Sequence, residues 1–310
     1  MSIAFVFPGQ GAQTIGMGRD LASAYPQAKA VFDEVDEALG EKLSALIWEG
    51  EPAELTLTQN AQPALMAMSM AVVRALEAEG VRIADGAFVA GHSLGEYSAL
   101  CAAGTFTVAD AARLLRLRGG AMQAAVPVGE GAMAAILGLD IDAVKALAAD
   151  AAEDEVCAAA NDNDPSQVVV SGHKGAVERA AHMAKERGAK RALMLPVSAP
   201  FHCSLMEPAA RAMEAALGEV DMADPVVPVV SNVRARPVSD AATIRELLVE
   251  QVTQSVRWRE SVDWMATEGG VTAFWELGAG KALTGMIRRI AKEAETRAVS
   301  SPDDIAAAKG

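Results

Sequence analysis

Gly91-His92-Ser93-Leu94-Gly95 follows a short apolar run and leads into helix-forming residues. Strand, sharp turn and helix in that order make a G-x-S-x-G nucleophile elbow. A serine on so tight a turn takes strained backbone geometry, and side chains at Gly91 and Gly95 would collide with the neighbouring strand and helix. The turn lifts the hydroxyl of Ser93 above the sheet edge, and the chemistry this predicts is acyl transfer through a serine ester. A serine hydroxyl attacks only when a base takes its proton, and the chain has four histidines. His92 adjoins the nucleophile but points away from it on the turn, so packing or hydrogen bonding is its expected role. His173, after a strand, and His182, on a helix rich in Ala, Lys and Arg, are expected at the surface. His202, in the loop Ser198-Ala199-Pro200-Phe201-His202-Cys203, is either the base or a structural loop histidine.

An acyl-transfer site also needs two backbone donors aimed at one oxyanion. The N–H of Leu94, opening the helix after Ser93, is one candidate. The turn Pro8-Gly9-Gln10-Gly11 at the end of the first strand is the other. That turn lacks a P-loop lysine and the G-x-G-x-x-G spacing, so a mononucleotide site is discounted. Arg118 shares a helix face with Ala111, Leu114, Leu115 and Met122 by the i, i+3, i+4 rule. An arginine on an apolar stripe either snorkels, pairs with an internal carboxylate, or grips a substrate carboxylate with its planar fork. Arg113 and Arg116 point elsewhere, toward solvent.

The elements that must hold these residues alternate as strand and helix. Ile3–Phe7 reads as a buried strand, followed by helical patterns to about Leu46 and a long helix over 63–79, where Met66, Met68 and Met70 read as core filler. Residues 88–90 form the strand before Ser93, and 107–125 the helix of Arg118. From 131 to about 197 the rhythm changes to β-α-β-β-α-β, with helices starting near Asp140 and over 174–187. The α/β rhythm then resumes with helices over 204–217, 244–252 and 261–268 and strands over 226–230 and Ala273–Leu277. The expected architecture is an α/β-hydrolase-like large domain, 1–126 and 198–310, with a ferredoxin-like small domain, 127–197, inserted in it and a cleft between the two.

The chain has 310 residues, 51% of them hydrophobic but only 4% aromatic, so Ala, Val, Leu and Met must fill the core. A net charge of −14 argues against nucleic acid or an anionic membrane as partner. Cys101, Cys157 and Cys203 are too widely spaced for a disulfide framework or a metal site. With a strand-like start, no basic leader and no long apolar segment, a cytoplasmic protein is expected.

Taken together, Phe5-Val6-Phe7-Pro8-Gly9-Gln10-Gly11, Gly91 to Tyr97, Arg118-Gly119, Pro200-Phe201-His202 and Gln251 resemble the malonyl-CoA:acyl-carrier-protein transacylases of fatty-acid synthesis. The resemblance runs nearly the whole chain and implies a ping-pong transfer. Ser93 would attack the malonyl thioester of coenzyme A with His202 as base. The backbone N–H groups of Gln10 and Leu94 would hold the oxyanion, and Arg118 the free malonyl carboxylate. The phosphopantetheine thiol of an acyl carrier protein would then take the malonyl group. The resemblance further implies that the backbone carbonyl of Gln251 orients His202 in place of a triad acid, and that Asn161 lies near the substrate. Phe201 stands where some relatives carry serine, near the acyl pocket. No resident cofactor or metal is implied, and a monomer is expected.

Two other readings compete. A serine esterase or thioesterase would need an acid, and Glu153, Asp154, Glu155, Asp162 or Asp164 could supply one, though all sit in the inserted unit. A carrier-docking module with a dead site would not need both Ser93 and His202. Because carrier proteins of this pathway are themselves acidic, docking requires a local basic patch, for which Lys185, Arg187, Lys190 and Arg191, or Arg288 and Arg289, are candidates.

Overall fold

The computed structural model describes residues 2–197 and 199–308; Ser198, the first residue of the predicted base-bearing loop, lies outside them. The chain runs β1 (Ile3–Phe7), α1 (Arg19–Ala24), α2 (Pro26–Leu39), α3 (Leu43–Glu49), α4 (Pro52–Thr56), α5 (Thr58–Ala78), β2 (Phe88–Gly91), α6 (Leu94–Ala102) and α7 (Val108–Ala124). It continues through β3 (Gly131–Leu137), α8 (Ile141–Ala152), β4 (Cys157–Asp164), β5 (Gln167–His173), α9 (Lys174–Glu186) and β6 (Arg191–Met194). The last part is α10 (Glu207–Gly218), β7 (Val229–Val230), β8 (Pro237–Val238), α11 (Ala241–Gln251), α12 (Trp258–Ala266), β9 (Ala273–Leu277), α13 (Ala282–Ile290), β10 (Glu295–Val299) and α14 (Pro302–Ala307).

Two separate sheets result. One has six strands in the order β10-β9-β1-β2-β7-β8, parallel except for the final pair. The other has four strands in the order β4-β5-β3-β6, all antiparallel. Alternate residues of β1 enter different cores, as a period of two requires. Phe5 and Phe7 pack with α2, α5 and α7, whereas Ala4 and Val6 pack with Trp258, Val262 and Leu283 on the opposite face. Met66, Met68 and Met70 are buried in the first of these cores.

Several boundaries differ from the sequence expectations. Helix α5 begins at Thr58, ahead of the expected start at Pro63, and carries the proline inside it. Nearly every side of α5 is buried, and tertiary packing outweighs the proline's missing hydrogen bond. The strand expected over 226–230 shrinks to two residues, with Val226 largely exposed. Proline at 225 and 228 removes the donors a longer ladder would need. Strand β10 and helices α13 and α14 complete the parallel-sheet side beyond the expected elements.

Candidate active site

The parallel pairing of β1 with β2 puts Phe7 opposite Gly91, so the turns leaving both strands emerge side by side. His92 N–H donates to Phe7 O at 3.1 Å, which locks the two turns together. A Cβ on Gly91 would sit 1.9 Å from the Gly95 backbone, and one on Gly95 2.2 Å from Phe7 O. The elbow therefore closes only with glycine at both places. Ser93 sits at φ 55°, a conformation costly for any residue with a Cβ. Its N–H donates to Asn232 Oδ1 at 2.8 Å, and Asn232 Nδ2 donates to Gly91 O at 2.6 Å. One fully buried asparagine thus clamps the strained turn from both sides.

His202, also at positive φ (59°), places Nε2 2.7 Å from Ser93 Oγ. Its Nδ1 lies 2.9 Å from the backbone oxygen of Gln251. A carbonyl only accepts, so Nδ1 carries the proton and Nε2 faces the serine with its lone pair. Burial, aided by the Arg118 cation, pulls His202 down to about 3, which keeps the ring neutral near neutral pH. No carboxylate among the described residues takes the third place of a triad. Asp162 pairs with Arg259 at 2.8 Å, Asp164 with Arg289 at 2.8 Å, and Glu155 with Arg179 at 2.7 Å.

Arg118 is 1% exposed. Nη1 donates to Gln62 Oε1 at 2.8 Å, and Nη2 to Gln251 Oε1 at 2.9 Å and Ser93 Oγ at 3.2 Å. The ring of Tyr97 lies 5.5 Å from its guanidinium carbon. No ion pair to Arg118 occurs among the described residues, so a buried cation rests on neutral acceptors at the side of the nucleophile. Backbone geometry brings it there. Gly119 packs on the main chain of α5, where a Cβ would meet Gln59 Cα and Thr58 O at 2.6 Å. Pro63 interrupts the hydrogen-bond ladder of α5 at that same turn, and the flanking Gln62 and Arg118 meet across the crossing.

Ser93, His202, Arg118 and Gln62 line one cavity of about 390 Å³, together with Gln10, Leu94, Met122, Met133, Asn161, Leu195 and Phe201. All eight site residues expected from the sequence converge here, since Gln251 reaches the cavity through its bonds to His202 and Arg118. Leu94 opens α6, whose first N–H groups have no partner within the helix. Asn161 projects from a bulge in β4, with a buried Oδ1 that bonds nothing among the described residues. A second cavity of about 520 Å³ adjoins the first, sharing Gln10, Thr56, Leu195, Pro196 and Val197.

His92 is held by Asn163, Nε2 to Oδ1 at 2.8 Å, the hydrogen-bonding role expected of it. His182 is exposed, as expected, but His173 is partly buried and accepts from Val156 N–H at 2.9 Å. Of the basic residues considered for docking, Arg187 pairs with Asp150 and Arg289 with Asp164. The sequence expectations gave no role to Gln62 or Asn232, polar residues in an otherwise unremarkable apolar or turn segment, nor to Glu96, which entered only as part of the Gly91–Tyr97 motif.

Residues 4–302 match the acyl transferase domain family. The chain is 49% identical to the malonyl CoA-acyl carrier protein transacylase of Bacillus subtilis (strain 168), over 98% of this chain and 95% of that protein. The chain belongs to the malonyl CoA-acyl carrier protein transacylase family. The transacylase of the same name from Escherichia coli (strain K12) is 47% identical, with 98% of each chain covered. Among transacylase structures, the acyl-carrier-protein-S-malonyltransferase of Bartonella henselae superposes with a TM-score of 0.97 at 55% identity, covering 99% of this chain and 98% of that one. A malonyl-transacylase solved in complex with its type II PKS acyl-carrier protein superposes at 0.96 and 43% identity, covering 99% of each.

Proposed function

We infer that this protein is an acyltransferase that moves a malonyl group from malonyl-CoA to the phosphopantetheine thiol of an acyl carrier protein, supplying fatty-acid elongation. The observation that carries the reading is the buried Arg118 guanidinium 3.2 Å from Ser93 Oγ, in a cavity that also holds the Ser93–His202 pair. His202 Nε2 takes the proton of Ser93 Oγ as the oxygen attacks the thioester carbonyl. The N–H groups of Gln10 and Leu94 receive the negative charge that forms on the carbonyl oxygen. The C–S bond breaks, coenzyme A leaves as the thiol with the proton from His202, and Ser93 carries the malonyl ester. The carrier's thiol then gives its proton to His202, attacks the ester, and restores Ser93.

In this reading Arg118 receives the free malonyl carboxylate, Gln251 holds His202 and Arg118, and Asn161 and Phe201 border the acyl group. The adjoining cavity leaves room for the extended arm of either thioester. The four-stranded sheet is read as a ferredoxin-like domain, 127–197, inserted in an α/β-hydrolase-like body, 1–126 and 198–310; its strand order supports this. The same reading takes the protein as a cytoplasmic monomer with no resident cofactor. A hydrolase reading loses ground because Nδ1 of His202 meets the Gln251 carbonyl in place of an acid, and Glu155, Asp162 and Asp164 are engaged by arginines.

Incubation with malonyl-CoA should add one malonyl unit to the intact-protein mass, and Ser93→Ala should abolish the gain. An unmodified wild-type protein would overturn the transferase reading. Rapid release of free malonate without a carrier protein would favour the hydrolase.

A further inference from the structure

The steps above make no use of Glu96, which nevertheless sits 2% exposed in the first turn of α6. Its Oε2 accepts from Gln251 Nε2 at 2.8 Å and from Asn232 N–H at 3.3 Å. Both partners are fully buried and both hold the site, Asn232 at the elbow and Gln251 at Arg118 and His202. An ionised carboxylate can only accept, so the Gln251 amide must turn its NH₂ toward Glu96 and its oxygen toward Arg118. The opposite turn would press oxygen on carboxylate at one end and NH₂ on guanidinium at the other. The main-chain carbonyl of Gln251, which holds His202, is not affected by that choice.

We propose that Glu96 is a positioning residue for acyl selection: it fixes the Gln251 carboxamide, and through it the placement of Arg118 that receives the acyl carboxylate. This rests on the reading of Arg118 given above. Glu96→Gln offers a donor as well as an acceptor to Gln251, so the carboxamide loses its acceptor-only partner and keeps only the weaker orientation set by Arg118, the Ser93 carbonyl and Asn232 Oδ1, while the volume stays the same.

The test is the rate of Ser93 acylation by malonyl-CoA and by acetyl-CoA, followed by intact mass at pH 8.5, above the value of about 7 to which burial raises Glu96. Glu96→Gln should slow malonylation about tenfold and acetylation by less than about threefold. An equal loss on both substrates, or no loss on malonyl, overturns the proposal. Gln251→Leu removes the carboxamide but keeps the main-chain carbonyl. In that background Glu96→Gln should leave the malonyl-to-acetyl ratio unchanged, and a further fall would show that Glu96 acts by another route. Should Glu96→Gln not fold, Glu96→Asp must keep the ratio that Gln251→Leu lowers; a ratio equally low in both overturns the proposal. Failure of the wild type to take malonyl at all would count against the transferase reading and not against Glu96.

Discussion

The two sheets hold their share of the site in different ways. On the six-stranded side the nucleophile and the glutamine beside it are each held by several bonds to buried neighbours. Ser93 is fixed through its N–H, its carbonyl and its hydroxyl, and Gln251 through its carbonyl, its Oε1 and its Nε2. The four-stranded side lends the cavity Met133 from β3, Leu195 after β6 and Asn161 from β4, whose run Asn161-Asp162-Asn163-Asp164 lies across the other unit like a strap. Asp162 N–H donates to Val256 O at 2.9 Å, Asn163 meets His92, and Asp162 and Asp164 take Arg259 and Arg289. Within this run Asn161 is left with a buried Oδ1 that bonds nothing among the described residues, and it lines the cavity. The contrast teaches a division of labour: the Ser93–His202 pair is overdetermined on one side, and the cover over the cavity is tied down at its flanks with its centre open.

Four substitutions can break or sharpen this contrast. The largest effect is expected from Gly91→Ala, whose Cβ would sit 1.9 Å from the Gly95 backbone. It should lower stability by about 4 kcal/mol or more, or prevent folding, as read by urea unfolding. His202→Gln should slow Ser93 acylation by about 10³-fold in single turnovers while the protein stays folded. The same variant tests the sign of a pH effect. Burial holds the folded-state His202 at about 3, below its unfolded value, so the folded state binds fewer protons and stability falls as pH drops below the unfolded value. Relative to His202→Gln, the wild type should lose about 2 kcal/mol of unfolding free energy between pH 7 and pH 5. A parallel pH dependence of the two proteins would contradict a buried neutral imidazole.

Next comes the strap. Arg259→Met leaves the buried Asp162 carboxylate without its partner and should cost about 1–3 kcal/mol. Because the reacting atoms lie on the other side, kcat should stay within about threefold while KM for the acyl donor rises. A collapse of kcat instead would show that β4 positions the reacting atoms themselves. The smallest effect belongs to Asn161→Ala. Its Oδ1 has no hydrogen bond to lose among the described residues, so stability should change by less than about 0.5 kcal/mol, with a rise of a few fold in KM. A large loss of stability would mean that Asn161 belongs to the strap's fastenings.

What could be read in the sequence follows the reach of each constraint. The elbow was legible because its glycines act within five residues, and Arg118 because helical periodicity exposes a charge on an apolar face. Gln10 and Leu94 followed from strand and helix ends. Asn232 and Glu96 were not legible, since their partners lie 139 and 155 residues away and no local period marks them. Asp162 and Asp164 were open as triad acids because sequence shows a carboxylate but not the arginine that engages it. The short strand at Val229–Val230 was overread because valines signal a strand while two prolines quietly delete its donors.

The crossing of α5 and α7 at Gly119 has one more consequence. The guanidinium end of the cavity is set by two main chains in contact, so its depth is not adjustable one side chain at a time. The other walls carry Met133, Leu195 and Phe201, residues whose size can change without moving a helix. The cavity is a caliper with one fixed jaw. A branch beside the acyl carbonyl could be accommodated by trading a methionine or the phenylalanine, whereas a longer diacid would require the helices themselves to part.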